Sequence, residues 1–252
     1  MSIAQDIQFK QKAKNDTSPM PLYVLTGVTA VLVAVGLYLA LVYAGTDIDQ
    51  GEIQRIFYIH MPSFFGAFTA FIATVIGGIA YLRTRSLMWD RMALAGVEVG
   101  LMLSLVNLAT GSIWARPIWN TWWTWDSRLT SAAIMALTYA AYLMLRAGIE
   151  NPTQRRRFAA VYGILAITTA VVTLVIIRID PTTIHPAAIG PSPQNQAQGA
   201  FEMDATPGVT TALLFNLPVW GLLVPITLMW WRMRMERFSE RVEQMKAALL
   251  EQ

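Results

Sequence analysis

Two histidines and a cluster of tryptophans are the residues of this chain best suited to chemistry. The 252 residues hold only two His, His60 and His185, and nine Trp. Five of these Trp fall in one twelve-residue window, at Trp114, Trp119, Trp122, Trp123 and Trp125, with Asp126 directly after it. Tryptophan offers a large flat apolar surface and one N–H donor. One or two suffice to anchor a loop at a membrane surface, whereas five together match a large, flat, apolar partner. Haem is such a partner, and its iron takes axial imidazole. His60 and His185 are therefore the candidate ligands, and the five Trp with Asp126 the candidate platform. Haem propionates want arginine, whose planar fork matches a carboxylate. Arg55, Arg116 and Arg128 lie in or beside the same stretches and are the candidate propionate contacts.

Plainer readings exist for each residue. Interfacial Trp is a common membrane anchor. A loop His is often only a polar surface group. Asp126 and Arg128 can pair with each other at a helix start, an exposed contact worth about 0–1 kcal/mol.

The elements that must position these residues are helices. Hydrophobic residues make up 55% of the chain and charged residues 14%, against about 25% charged in ordinary soluble domains. A spanning helix needs about 20 mainly apolar residues. Six segments qualify: Leu22 to Ala44, Phe64 to Leu82, Met92 to Ile113, Leu129 to Leu145, Phe158 to Ile177 and Val209 to Trp231. The expected fold is an all-α integral membrane protein with six transmembrane helices. The expected layout is a cytoplasmic arm (1–20), a six-helix domain (21–232) with an external Trp-rich loop at 114–128, and a helical cytoplasmic tail (233–252). The first segment follows Lys10, Lys12 and Lys14 but is longer than the roughly 7–15 apolar residues of a signal-peptide core, so it reads as a retained helix.

Basic residues orient the spans. Fifteen of the nineteen Lys and Arg fall in the N-terminal arm, the second-to-third and fourth-to-fifth connections and the C-terminal tail. The positive-inside rule places these, and both termini, in the cytoplasm. The loops after helices one, three and five then share the external face. They carry His60, the Trp cluster and His185, so the candidate residues converge by topology. The net charge of +3 follows from this arrangement and gives no reason to expect nucleic-acid binding. The absence of cysteine excludes thiolate-ligated metals, disulfides and covalent c-type haem attachment. A bound haem would be b-type and non-covalent.

Several local expectations follow. His60-Met61-Pro62-Ser63 reads as a turn and helix start, although Ile53 to His60 is apolar enough to begin the helix early. Were 119–126 helical, Trp119, Trp122, Trp123 and Asp126 would share one face and Trp125 would point away. The Pro- and amide-rich stretch Arg178 to Gly208 should be irregular. Glu98, inside the third span, is a structural hydrogen-bonding group or a proton relay, and no basic partner is expected within a helix. Gly77, Gly78, Gly96 and Gly100 permit close helix approach.

The run Trp119-x-x-Trp122-Trp123-x-Trp125-Asp126-x-Arg128-Leu129-Thr130-Ser131 resembles the tryptophan-rich "WWD" signature of the haem-handling proteins of cytochrome c maturation. Span count, size and one external His on each side of the motif are similar to the CcmC branch, the haem exporter protein C family. The resemblance covers nearly the whole chain. It implies a non-enzymatic component of the bacterial inner membrane that holds haem at the outer face. His60 and His185 would be its axial ligands and the Trp motif its platform. It also implies loading of that haem onto the membrane-tethered chaperone CcmE, beside the ABC-type pair CcmA and CcmB and the small subunit CcmD. Two departures stand out: Asn120 where the family usually has Gly, and a non-aromatic run, Pro181 to Ile184, before His185.

Three other functions are compatible with parts of the pattern. One is a multi-pass transporter or channel for a small solute with a Trp-lined external gate. Another is an electron-transferring b-type cytochrome, which would bury its His pairs in helices, whereas neither His lies in a predicted span. The last is a purely structural partner.

Overall fold

The computed structural model describes residues 19–47, 50–180, 182–185 and 208–250, with residues 248–250 described by backbone only. The Lys-bearing arm before Pro19 and most of the 178–208 stretch lie outside the described residues. Helix α1 is Met20–Tyr38, prolonged by a π-helical turn at Leu39–Tyr43. A 3-10 turn at Glu52–Ile56 leads into α2, Phe57–Thr84. Then follow α3 (Leu87–Trp119), α4 (Ser127–Gly148) and α5 (Pro152–Ile179). Helix α6 (Val209–Pro218) continues through a π-helical turn at Val219–Leu223 into α7 (Val224–Leu250). Among the described residues six helical stretches are long and apolar enough to cross a membrane, Val209–Ala247 counting as one. They coincide with the six expected segments, each extended at one or both ends.

The centre is the α2–α3 hairpin, which turns at Arg85 in the left-handed region (φ 58°). Its seam is lined by small residues. A Cβ at Gly96 would stand 2.5 Å from the Ala70 carbonyl oxygen, and one at Gly77 would stand 2.7 Å from that of Trp89. Close backbone approach replaces side-chain interdigitation here, as expected between helices in lipid. Helix α5 packs on α2 and α4, while α1 packs on the α6–α7 side. Phe71 of α2 and Tyr139 of α4 stack with ring centres 3.5 Å apart.

Ion pairs tie the ends of the helices together. Arg146 of α4 grips Asp90 of α3 through two bonds of 2.7 and 3.0 Å, and Arg156 of α5 lies 3.5 Å from the same carboxylate. Glu98 does have a basic partner within a helix: Arg232 of α7 donates to its Oε1 across 3.0 Å. Arg232 also reaches Glu236 at 3.0 Å, and Arg91 pairs with Glu240.

Two local expectations are corrected. The chain does not turn at His60–Ser63. Helix α2 runs straight through Pro62, and His60 lies inside it. Phe57 and Tyr58, 1% and 0% exposed, pack against Ala212 and Leu213 of α6, which holds this segment helical. Around the proline, Ser63 Oγ and Asn107 Nδ2 both donate to the His60 carbonyl, at 2.8 and 2.7 Å. Pro62 itself has no N–H to give the Tyr58 carbonyl four residues back, and the helix continues past that missing bond.

The second correction concerns the Trp window. Its first part is not loop: α3 continues through Trp114 to Trp119. Residues 120–126 are not helical, so Trp119, Trp122, Trp123 and Asp126 do not share a helical face. The helix stops because Asn120 adopts φ 54°, ψ 24°, a left-handed conformation that Gly and Asn tolerate best. Asn120 thus takes up a backbone conformation that Gly would also adopt readily. Arg116 braces the stop by donating to the Asn120 carbonyl and Oδ1, at 2.7 and 2.9 Å.

Candidate functional site

Helices α2 to α5 flank an open-sided cavity of about 610 Å3, inside the roughly 300–1,000 Å3 range of small-molecule sites. His60 and Phe64 enter it from α2, Trp114 and Trp119 from α3, Arg128 from the first turn of α4, and Arg178 from the last turn of α5. Trp123 lines it from the loop and His185 from the segment after α5.

The two imidazoles meet here. Their ring centres are 6.2 Å apart and their planes are inclined by 32°. Each is flanked by an indole: His60 by Trp114 at 5.7 Å and His185 by Trp119 at 6.1 Å, both edge-on. Trp114 is fixed in turn by Phe57 at 5.8 Å and by donation of its Nε1–H to Gln50 Oε1 at 2.9 Å. A metal–imidazole bond is about 2 Å long, and the ring centre lies roughly 1 Å beyond the nitrogen. Two imidazoles on opposite sides of one metal ion thus have centres about 6 Å apart. Among the described residues no cluster of three or more His, Asp or Glu could hold a metal. An ion held between these two rings would need its remaining coordination from a ligand of its own.

Asp126 organises the loop. It is the N-cap of α4, accepting from the backbone N–H of Arg128 and Leu129 at 2.8 and 3.1 Å. Its other oxygen accepts from Thr124 at 2.9 Å. Thr183 donates its hydroxyl to Asp126 Oδ1 at 3.1 Å and accepts from the His185 N–H at 3.2 Å. The motif's aspartate thereby links the tryptophan loop, the start of α4 and the segment bearing His185.

The remaining expected residues divide. Trp119 and Trp123 line the cavity, whereas Trp122 and Trp125 are 57% and 78% exposed. Arg128 does not ion-pair with Asp126. Its guanidinium lies over the Phe64 ring at 4.8 Å, and its buried Nη1 has no hydrogen-bond partner among the described residues. The same holds for the buried Trp123 Nε1. Arg55 pairs with Glu52 at 2.7 Å, and Arg116 is spent on Asn120; neither lines the cavity. Sequence reasoning missed Arg178 and Gln50 as lining residues. The position of Arg178 at the end of a span, on the face carrying the other candidates, was the available signal.

The family model described as haem exporter protein C, CcmC, matches residues 8–248. This chain belongs to the haem exporter protein C family. It is 38% identical over 120 residues to a cytochrome c biosynthesis ccmC-like mitochondrial protein of Arabidopsis thaliana, covering 48% of this chain and 47% of that one. To the haem exporter protein C of Bradyrhizobium diazoefficiens it is 34% identical over 137 residues, 54% of this chain and 52% of the relative. To that of Paracoccus denitrificans it is 28% identical over 204 residues, 81% and 79% respectively. The chain spans about half the length of the first two relatives.

Proposed function

We propose that this chain is a haem-handling component of cytochrome c maturation. It holds non-covalent b-type haem between His60 and His185 and presents it at the outer face of the bacterial inner membrane. The haem is cargo rather than a reactant, and the chain is not an enzyme. Its membership of the haem exporter protein C family supports transport of haem for cytochrome c biogenesis. The recipient is a periplasmic haem chaperone, CcmE, and the chain works beside the ABC-type subunits CcmA and CcmB and the small membrane subunit CcmD. The bias of basic residues toward one side supports an outward-facing site, with both termini in the cytoplasm.

The observation that carries this reading is the 6.2 Å separation of the two imidazoles, the spacing of trans ligands on one iron. A bound porphyrin would supply the equatorial nitrogens, since among the described residues no third His, Asp or Glu joins the pair. Trp119 and Trp123 offer apolar contact to the macrocycle. Arg128 Nη1 and Trp123 Nε1, without partners among the described residues, are donors for carboxylate oxygens, and Arg178 lies beside the same cavity. Arg55 and Arg116 are dropped from the propionate set because other groups hold them.

With His60 inside a helix, the topological objection to an electron-transferring cytochrome is weaker than the sequence implied. Its second ligand still comes from outside the spans. Glu98, the residue that motivated the transporter alternative, is committed to Arg232.

The test is the optical spectrum of purified protein, alone and with each His replaced. A low-spin bis-imidazole spectrum, lost in His60→Ala and in His185→Ala, is expected. Unchanged haem content and spectrum in both variants would overturn the ligand assignment.

A further inference from the structure

The wall that α3 presents to His60 is built to hold one imidazole in one state. His60 Nδ1 lies 3.0 Å from the Asn107 carbonyl oxygen and 3.2 Å from Thr110 Oγ1. A carbonyl oxygen can only accept. The Thr110 hydroxyl is 2.7 Å from the Val106 carbonyl, so its proton goes there and its lone pair remains for Nδ1. Both of these oxygens favour a hydrogen on Nδ1. The third neighbour, Asn107 Nδ2, is a donor, but it lies farther away at 3.3 Å and already gives a hydrogen to the His60 carbonyl, so the two shorter contacts decide for Nδ1–H. The side chain of Asn107 straps the backbone of the same residue through its 2.7 Å bond to the His60 carbonyl. One turn on, Gly111 leaves room for the ring: a Cβ there would stand 2.9 Å from His60 Cε1 and 3.4 Å from Nδ1.

We infer that Asn107, Thr110 and Gly111 form a socket that fixes the His60 ring as the Nδ1–H tautomer, leaving the Nε2 lone pair to bind the haem iron. These are positioning residues and do not touch the metal. The inference rests on His60 being an axial ligand. The second-sphere bond from Nδ1–H to a carbonyl sets ring orientation and raises ligand basicity, and losing such a partner typically costs 10–100-fold in metal affinity.

The experiment has two arms on the full chain in detergent. In the first, histidine-15N NMR of haem-free protein, with the His60 signals assigned by their loss in His60→Ala, should show the Nδ1–H tautomer. An Nε2–H tautomer would overturn the socket regardless of haem. In the second, haem titration, reduction potential and low-spin EPR are measured for Gly111→Ala and for the near-isosteric Thr110→Val. Haem affinity should fall about tenfold or more with shifted g-values and potential, and Thr110→Ser should restore both. If His60→Ala abolishes the bis-imidazole spectrum while Thr110→Val and Gly111→Ala leave affinity, g-values and potential unchanged, the positioning role is wrong. If His60→Ala itself leaves the spectrum intact, the ligand reading fails and the positioning role fails with it.

Discussion

Thr183 donates its hydroxyl hydrogen to Asp126 across 3.1 Å and accepts from the backbone N–H of His185 at 3.2 Å. One small side chain thus joins the tryptophan loop to the segment bearing the second imidazole. The first imidazole, half-buried, is held between α2 and α3 through its own contacts to Asn107 and Thr110.

Thr183→Val keeps the shape of the side chain and removes both bonds. A typical intramolecular hydrogen bond is worth about 0.5–1.5 kcal/mol, so global stability should change little. Haem retention should fall by more than stability does, because the His185 segment loses its tether. Thermal unfolding and haem titration, run side by side with Thr183→Ser as the restoring variant, check this.

Asp126→Ala removes a helix cap, for which the usual loss is about 1 kcal/mol, together with the Thr124 and Thr183 contacts. Asp126→Asn should recover most of the cap, since the amide oxygen still accepts from the N–H groups of Arg128 and Leu129. The measurement is the unfolding midpoint of both variants, and the Asn variant should lie nearer the parent. Equal midpoints for the two would mean that the cap contributes nothing.

The tryptophans should separate into two classes. Trp119→Leu and Trp123→Leu remove aromatic surface from the cavity wall and should weaken haem binding about two- to tenfold, given about 0.5–1.5 kcal/mol per aromatic contact. Trp122→Leu and Trp125→Leu alter exposed rings and should bind haem like the parent. Haem titrations of the four variants check the split, and transfer to the acceptor chaperone, measured separately, asks whether the exposed pair serves the partner.

Asp90 should matter most to stability and least to haem. Its side chain is 7% exposed and that of Arg146 is 10% exposed. Breaking a buried pair by removing one partner costs about 3–5 kcal/mol, so Asp90→Ala should lower the unfolding midpoint strongly. Glu240 is 40% exposed against Arg91, and Glu240→Gln should cost about 0–1 kcal/mol, as more exposed pairs do. Comparable losses in the two variants would contradict the difference in burial.

Much of this was legible in the sequence. Hydropathy over 20-residue stretches marked the six spans, because lipid imposes length and apolarity on any helix that crosses it. The convergence of His60, the Trp window and His185 followed from counting spans. What failed was local. Pro62 reads as a boundary, yet the helix runs through it, with Phe57 and Tyr58 before it buried against α6. Trp122 and Asp126 fit a helical period, yet the left-handed backbone at Asn120 ends the helix first. Arg55 and Arg116 lie near the candidate site in the sequence, but Glu52 and Asn120 engage them. Such outcomes depend on which neighbour reaches a group first, and spacing along the chain does not record that. The socket of Asn107, Thr110 and Gly111 left no pattern of its own, because carbonyls and glycines do their part without a distinctive side chain.

The left-handed residue at the end of α3 has a wider bearing. Reversing the chain's hand at Asn120 works like a crease in a sheet of paper. It folds Trp119 and Trp123 inward while leaving Trp122 and Trp125 displayed outside. A single backbone angle thus sorts a uniform-looking run of indoles into one pair that walls the cavity and another that faces outward.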